Sequence, residues 1–279
     1  MAADLQGELE AAERLARQAA ALISGYVGSG IGVEYKPGDG SPVTRADTEA
    51  NHLIVEGLRR AFPGDAVLSE EAPDDGAWLK AERVWMVDPI DGTADFIRGR
   101  AGFAVMIGLV VAGEPQVGVV MQPVTGRLLR ARAGGPAERL DAEGRVEVLH
   151  VSTVSDLTSI RLVASASHRS EAIDRVRAAL GVTSELNVGS VGLKLGLIAS
   201  GERDLSVNPA SKSSLWDCAG PQVILTAAGG RLSDLAGAPI DYTTPDVRTR
   251  RGLIASNGVV HQAVLEKLAA LFPDGTPES

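Results

Sequence analysis

The sequence has few of the residues that mark several common classes of protein. A single cysteine among 279 residues excludes internal disulfide bonds and suits a reducing compartment. Aromatic residues make up only 4% of the chain, which argues against a platform for stacking single-stranded bases. The chain has no apolar run of about 18 residues and no basic-then-apolar leader. We therefore expect a soluble, cytoplasmic protein without membrane insertion.

Cationic blocks and zinc-type clusters are also missing. Lysine and arginine number 27 against 36 acidic residues, so the formal charge is −9, which argues against binding a nucleic-acid polymer. The four histidines, His52, His150, His168 and His261, are scattered instead of clustered as zinc ligands are. The length and a 44% hydrophobic content allow a large core and two subdomains.

Hydrophobic periodicity and turn residues predict the elements of the first half. They are a helix over 5–27, a mobile glycine-rich loop over 28–40, a helix over 46–62, strands near Val67 and over 84–87, and an antiparallel meander over 103–111, 116–121 and 127–132. Gly, Pro and charged residues cluster over 133–151, and we place the subdomain boundary there.

Strands and helices alternate in the second half. The predicted strands cover 161–165, 204–207 and a segment around Leu253, and the predicted helices cover 171–180, 193–199, 217–228 and 259–271. This alternation predicts an α/β half over 146–279 that follows an α+β half over 1–145, so the fold class is α/β.

The most informative segment is the string from Asp88 to Thr93, Asp-Pro-Ile-Asp-Gly-Thr. An apolar run predicts a buried strand that ends directly in Asp88 and Asp91, with Pro89 stopping the ladder between them. Two acids held on a stiff strand exit repel each other and lose hydration. Because no cationic residue lies nearby in the sequence, the pattern indicates a divalent metal ion.

Further acids fall at predicted element ends, namely Asp47, Glu70, Glu71 and Asp217. Carboxylates gathered at one sheet edge suit Mg²⁺, which takes hard oxygen ligands. Each acid also has a purely structural explanation. Asp47 fits a capping box with Thr44, Asp217 fits an acid near a helix N-terminus, and Glu70 with Glu71 fits a solvated pair.

Four motifs in order resemble the magnesium-dependent, lithium-sensitive phosphomonoesterases of the inositol monophosphatase superfamily. They are Val43 to Asp47, Leu68 to Glu71, Asp88 to Thr93, and Trp216-Asp217. The resemblance covers nearly the whole chain. It implies a layered α/β/α/β/α sandwich of the sugar-phosphatase type, with the site between the two halves.

The resemblance also implies a role for each motif residue. Glu70, Asp88 and the Ile90 carbonyl would hold the Mg²⁺ ion that activates water. Asp88 would bridge to a second Mg²⁺ completed by Asp91 and Asp217, and the family also accommodates a weakly bound third ion. Thr93 would hydrogen-bond the nucleophilic water with Asp47 as proton acceptor, and the amides of Gly92 and Thr93 would cradle phosphate. The role of Glu71 stays open.

The substrate side is similar to the 3'(2'),5'-bisphosphate nucleotidases. This similarity rests on a Ser-x-Ser-His element that includes Ser167 and His168, and on a loop that includes Gly189, Ser190 and Lys194. It implies that Asp217 also lies beside the substrate. Two positions depart from that group, because Ala94 replaces a common basic residue and Gly220 replaces an alanine.

Three functions remain in competition. The first is hydrolysis of adenosine 3',5'-bisphosphate to AMP and phosphate, the second an inositol monophosphatase or broad sugar phosphatase, and the third a non-catalytic sensor of a nucleotide or metal. The expected partner is a small phosphorylated substrate. The expected assembly is a monomer or a homodimer.

Overall fold

The computed structural model describes residues 4–27, 32–36, 40–166, 171–210 and 213–273. Its helices are α1 Gln6–Ser24, α2 Arg45–Ala61, α3 Thr93–Ile97, α4 Glu171–Leu180, α5 Val191–Ala199, α6 Leu215–Ala227 and α7 His261–Leu268. Its strands are β1 Val33–Tyr35, β2 Pro42–Thr44, β3 Ala66–Ser69, β4 Arg83–Asp91, β5 Ala104–Val111, β6 Glu114–Gln122, β7 Arg127–Arg132, β8 Glu138–Leu140, β9 Val146–Val148, β10 Arg161–Ser165, β11 Ser184–Val188, β12 Leu205–Asn208, β13 Arg231–Ser233 and β14 Leu253–Ser256.

Two large sheets organise the described residues. Strands β3 to β9 form a seven-stranded sheet in sequence order, parallel at β3–β4 and antiparallel throughout the rest. The second sheet has five strands in the order β11-β10-β12-β14-β13, and β10 pairs in parallel with both β11 and β12. A small β1–β2 hairpin stands apart from both sheets.

Three hydrophobic cores show that these elements stack in five layers. One face of the seven-stranded sheet packs on α1 and α2. The other face packs on α5 and α6, which also cover the five-stranded sheet. The far face of the five-stranded sheet packs on α4 and α7. The predicted α/β/α/β/α sandwich is therefore confirmed.

Helix α1 forms because its apolar residues recur at helical spacing. Leu9, Ala12, Ala16, Ala19 and Ile23 are all buried against the sheet and α2. Burial of a large aliphatic side chain of this kind contributes roughly 1.5–3 kcal/mol. The helices predicted over 5–27 and 46–62 are thus confirmed within a few residues at each end.

Helix α6 lies unusually close to the sheet because three glycines meet. A Cβ on Gly108 would come within 2.5 Å of the Gly220 amide nitrogen, and a Cβ on Gly118 would collide with the Gly220 carbonyl. A Cβ on Gly220 itself would lie 2.8 Å from the Ile107 carbonyl oxygen. The glycine that departs from the resemblance at position 220 is therefore required by backbone contact with β5.

The expectation that strand pairing stops at Pro89 is wrong for β4. The strand continues to Asp91, with a shift in its register against β5 between Asp88 and Asp91. Proline is tolerated there because a bulge leaves that residue without a ladder hydrogen bond to donate. The two aspartates thus lie inside an irregular strand end and not in a loop.

Several short elements were not predicted. Strand β1 lies within the segment expected to be a mobile loop, whose residues 28–31 and 37–39 lie outside the described ranges. Strands β8 and β9 lie within 133–151 and extend the first sheet. The division at residue 145 stays a prediction, and the sheets themselves change between Val148 and Arg161.

Candidate active site

Asp88 and Asp91 lie at the buried end of β4, between β3 and β5. Asp88 Oδ1 accepts a hydrogen bond from the Ile90 amide at 2.9 Å, which fixes its side chain within the bulge. Asp91 Oδ2 accepts hydrogen bonds from Ser190 Oγ at 2.6 Å and from the Gly192 amide at 2.9 Å. The second half of the chain therefore orients an acid of the first half.

Glu70 and Glu71 follow β3 and share one cation. Lys36 Nζ lies 2.7 Å from Glu70 Oε1 and 2.6 Å from Glu71 Oε1. Burial and the charge of Glu70 raise the pKa of Glu71 to about 7. Burial alone would lower the pKa of Lys36, but Glu70 and Glu71 outweigh it and raise that pKa. The pair is thus bound within the site instead of being simply solvated.

Asp47 caps helix α2 and also faces the end of β4. Its Oδ2 accepts the Thr44 amide at 2.8 Å and the Thr44 hydroxyl at 2.5 Å, so the predicted capping box is present. Its Oδ1 accepts Thr93 Oγ1 at 3.3 Å, and the same hydroxyl lies 3.0 Å from the Ile90 carbonyl. Capping and proximity to the site occur together in this residue.

Asp217 is the third residue of α6, as Asp47 is of α2. Its Oδ2 accepts the Ser214 amide at 2.8 Å, again in a capping box. Because α6 is held against the sheet by Gly220, the first turn of α6 carries Asp217 towards Asp91 and Glu70, with which it interacts electrostatically. The acid expected near a helix N-terminus is therefore both a cap and a neighbour of the other carboxylates.

Burial and mutual repulsion leave these acids with uncompensated charge. Burial, together with Glu70, Asp91 and Asp217, raises the pKa of Asp88 well above its usual value. Burial also raises the pKa of Asp91, although Lys194, Ser190 and Gly192 oppose the rise. Such a group of hard oxygen donors is stabilised by a divalent cation.

The donor atoms of the site are of the type that Mg²⁺ prefers. Carboxylates and the Ile90 carbonyl supply only oxygen, and the one cysteine, Cys218, is buried. Across the described part of the chain, no three acidic, histidine or cysteine side chains are gathered at ligand distance from one point. The fit therefore rests on the type of the donors and on their charge.

Gly92 is the glycine that the site requires. Its φ of +95° lies in the left-handed region, and a Cβ there would come within 2.8 Å of the Gly102 carbonyl oxygen. The chain then enters α3, whose first turn leaves amide groups without helical partners. These amides adjoin Asp91 and are suited to an anion.

The structure brings most of the predicted site residues to one place. Asp47, Glu70, Asp88, Ile90, Asp91, Thr93 and Asp217 are linked by the contacts and charges above, and Gly189 and Ser190 lie against Gly102, which adjoins the site. Lys194 is buried, with its Nζ 2.9 Å from the Gly189 carbonyl. Ser167 and His168 lie outside the described residues.

The sequence reasoning missed Lys36 and the cap of Asp217, and it assigned Lys194 to the substrate side alone. No cation lies near Asp88 along the chain, yet Lys36 and Lys194 approach these acids from distant segments. No local pattern could have shown this, because the contacts join different layers. The Ser214 cap could have been found, since Ser214 and Asp217 have the same spacing as Thr44 and Asp47.

No helix among the described residues combines the length and the apolar character that crossing a bilayer requires. The chain resembles known proteins along most of its length. The 3'(2'),5'-bisphosphate nucleotidase CysQ of Salmonella typhimurium is 36% identical over 84% of this chain and 94% of its own length. Histidinol-phosphatase of Mycobacterium tuberculosis is 34% identical over 85% of this chain and 88% of its own length.

The fold comparison agrees with these relatives. The solved structure of a Thermotoga maritima IMPase superposes with a TM-score of 0.80 at 26% identity, covering 96% of this chain and 99% of that one. A sequence model named "Inositol monophosphatase family" matches residues 4–274. Since that match spans almost the whole chain and the named relatives are phosphatases, this chain belongs to the inositol monophosphatase family.

Proposed function

We propose that this protein is a cytoplasmic, Mg²⁺-dependent 3'(2'),5'-bisphosphate nucleotidase that converts adenosine 3',5'-bisphosphate to AMP and phosphate. The observation that carries the phosphatase chemistry is the group of buried, mutually repelling acids beside the Thr93–Asp47 hydrogen bond. The similarity to the nucleotidase from Salmonella typhimurium supports the choice of substrate.

The proposed cation ligands divide into two sets. Glu70, Asp88 and the Ile90 carbonyl would hold one ion, and Asp88, Asp91 and Asp217 a second. When bound, such ions lower the pKa of a water molecule and neutralise the departing oxygen. Ser190 and Gly192 would keep Asp91 in its ligating orientation through the hydrogen bonds to its Oδ2. The chain's own contribution is therefore a rigid, negatively charged frame.

The proposed proton path runs through Thr93. Its hydroxyl donates towards Asp47 Oδ1, so its lone pairs can accept a proton from water on the opposite side. Thr44 holds the other carboxylate oxygen of Asp47 with two hydrogen bonds, which keeps the acceptor oriented. As water adds to phosphorus, its proton passes by way of Thr93 to Asp47, the ester P–O bond breaks, and solvent protonates the leaving oxygen.

The substrate contacts are proposed on the opposite side of Asp91. Amides of Gly92 and Thr93 would receive phosphate oxygens, and Gly189, Ser190, Ser167 and His168 would contact the nucleotide. Lys194 would add positive charge from below the loop, since its Nζ lies against the Gly189 carbonyl. Asp217 would face both the cation and the ester oxygen.

A phosphate-release panel tests this function. Adenosine 3',5'-bisphosphate, inositol 1-phosphate, fructose 1,6-bisphosphate and histidinol phosphate are compared at equal concentration with Mg²⁺, with and without chelator. We expect the nucleotide to have the highest kcat/KM and all activity to vanish with chelator. A higher kcat/KM for inositol 1-phosphate would favour the inositol monophosphatase alternative and reject the nucleotidase.

A variant pair tests whether the carboxylates carry the reaction. Asp88→Asn should abolish phosphate release, whereas Asp241→Asn, at an exposed acid of the other half, should retain it. Nucleotide binding without turnover in the native chain would instead support the non-catalytic sensor.

A further inference from the structure

A cavity of about 430 Å³ lies beside the site but outside it. It opens between the ends of β6 and β7 on one side and α5 with β11 on the other. None of the proposed cation ligands lines it. Its volume falls within the range of roughly 300–1,000 Å³ that small-molecule sites occupy.

Asp95 gives the inner wall of this cavity an unusual group. The side chain is 3% exposed, and its Oδ1 has no hydrogen-bond partner within the described residues. The nearest cationic atom in an ion pair with it, Arg100 Nη1, lies 3.7 Å away, beyond hydrogen-bonding distance. Its Oδ2 packs so tightly on Gly102 and Gly189 that a Cβ at either glycine would collide or press against it.

A buried carboxylate oxygen without a donor is costly, so it needs a reason to persist. The Oδ2 atom of Asp95 is confined by two backbone segments, and Oδ1 is buried without a hydrogen-bond partner among the described residues, in a side chain that lines the cavity. A ligand that supplies a single N–H donor would satisfy it. The inner wall is therefore suited to an amine or a similar nitrogen donor.

The rim of the cavity carries the opposite charge. Arg127 and Arg100 are exposed at the cavity, and no carboxylate among the described residues pairs with the Arg127 guanidinium. Arg139, by contrast, is already paired with Glu147 at 2.6 Å and Glu202 at 3.0 Å. Arg127 is thus the cation available to an anionic group at the mouth.

The walls between these two ends are largely apolar. They are formed by Val120, Leu129, Leu186, Leu193 and Leu197. A ligand that fits has a nitrogen donor at one end, an apolar body, and an anion at the other end. We propose that this cavity is a second ligand site that binds a nucleoside monophosphate whose base carries an exocyclic amine, with the amine at Asp95 and the phosphate at Arg127.

The site goes beyond the proposed function, since it requires neither catalysis nor the carboxylate group. AMP is a suitable probe because its base carries such an amine, and inosine monophosphate replaces that amine with a carbonyl. Adenosine lacks the phosphate. Binding of all three to the Mg²⁺-loaded protein is measured by calorimetry, and we expect AMP to bind at least about tenfold more tightly than either analogue.

Matched variants separate this site from the metal site. Arg127→Gln should weaken AMP binding by about tenfold while leaving kcat for phosphate release unchanged. Asp95→Asn should narrow the preference for AMP over inosine monophosphate, and Leu197→Trp should block the cavity. Asp88→Asn removes a proposed cation ligand and should leave binding at the cavity intact.

The reverse pattern overturns the proposal. AMP binding that Asp88→Asn removes, and that neither Arg127→Gln nor Leu197→Trp changes, would belong to the metal site alone. The absence of measurable AMP binding would also overturn it, even if the protein formed a dimer that covers the cavity. These results differ from a failure of the proposed function, which the phosphate-release panel detects independently of AMP binding.

Discussion

The N-termini of α2 and α6 have the same local design but hold their aspartates differently. Each helix begins after a hydroxyl residue, Thr44 or Ser214, and has an aspartate at its third position in a capping box. Asp47 receives hydrogen bonds from both Thr44 groups and from Thr93. Within the described residues, the Asp217 carboxylate receives one, from the Ser214 amide.

This difference agrees with the two separate roles proposed for these aspartates. Burial raises the pKa of Asp47, and the hydrogen bonds from Thr44 and Thr93 oppose the rise. Burial with the charges of Asp91 and Glu70 raises the pKa of Asp217 much further. A carboxylate with both oxygens engaged by the protein suits proton transfer, whereas one with a less engaged oxygen and strong repulsion suits a cation.

The largest expected effect comes from exchanging each aspartate for asparagine. An amide oxygen can still cap the helix, so Asp217→Asn should fold but lose about 10³-fold in kcat/KM, because a proposed charged ligand is gone. It should also raise the Mg²⁺ concentration needed for half-maximal activity. Asp47→Asn should lower kcat with that concentration unchanged. Mg²⁺ titrations of phosphate release measure both quantities.

A second readout of the same pair needs no activity. With chelator present, Asp217→Asn should raise the melting temperature, since it removes one of several mutually repelling buried charges. Asp47→Asn should raise it less, because Asp47 is better hydrogen-bonded. Equal Mg²⁺ dependence in the two variants would remove the distinction between the helix ends.

His261 extends the contrast to a buried group outside the site. Ser233 Oγ donates to the Asp234 carbonyl and so accepts from Nε2, while Ser256 Oγ lies 2.9 Å from Nδ1. Burial and the charge of Arg231 lower the pKa of His261 to about 4. Hydrogen bonding here favours the neutral form, as burial does.

The stability of the protein should therefore depend on His261 at acid pH. In the unfolded chain, His261 becomes protonated below its ordinary pKa of about 6.5. In the folded chain, it becomes protonated only near pH 4. We expect this residue to lower the unfolding free energy by about 2 kcal/mol between pH 7 and pH 5. His261→Gln should lose that component of the slope, and His52→Gln, at an exposed histidine, should keep it. Urea denaturation of the native chain and both variants at pH 7 and pH 5 measures these unfolding free energies.

Local patterns predicted the parts of this molecule that local forces determine. The periodicity of α1 and α2, the capping box at Asp47 and the apolar meander all depend on neighbours along the chain. The resemblance of the four motifs added the layered fold and the proposed cation ligands.

What the sequence could not show depends on contacts between layers. Lys36 reaches Glu70 from the β1–β2 hairpin, and Ser190 reaches Asp91 from the second half. No sequence pattern singled out Asp95, and its burial against Gly102 and Gly189 appears only in three dimensions. Short strands such as β8 and β9 carry too few residues for a periodicity to emerge.

The smallest effect tests the two caps without changing either aspartate. Thr44→Ala and Ser214→Ala should each cost about 1 kcal/mol of unfolding free energy, because each removes a capping hydroxyl. Only Thr44→Ala should also lower kcat, by about tenfold, because the Thr44 hydroxyl holds Asp47 against Thr93. Thr44→Ser should restore both stability and kcat. If Ser214→Ala lowered kcat as much as Thr44→Ala at equal loss of stability, the kinetic effect would follow from helix fraying, and the specific role of the Thr44 hydroxyl in orienting a proton acceptor would be wrong.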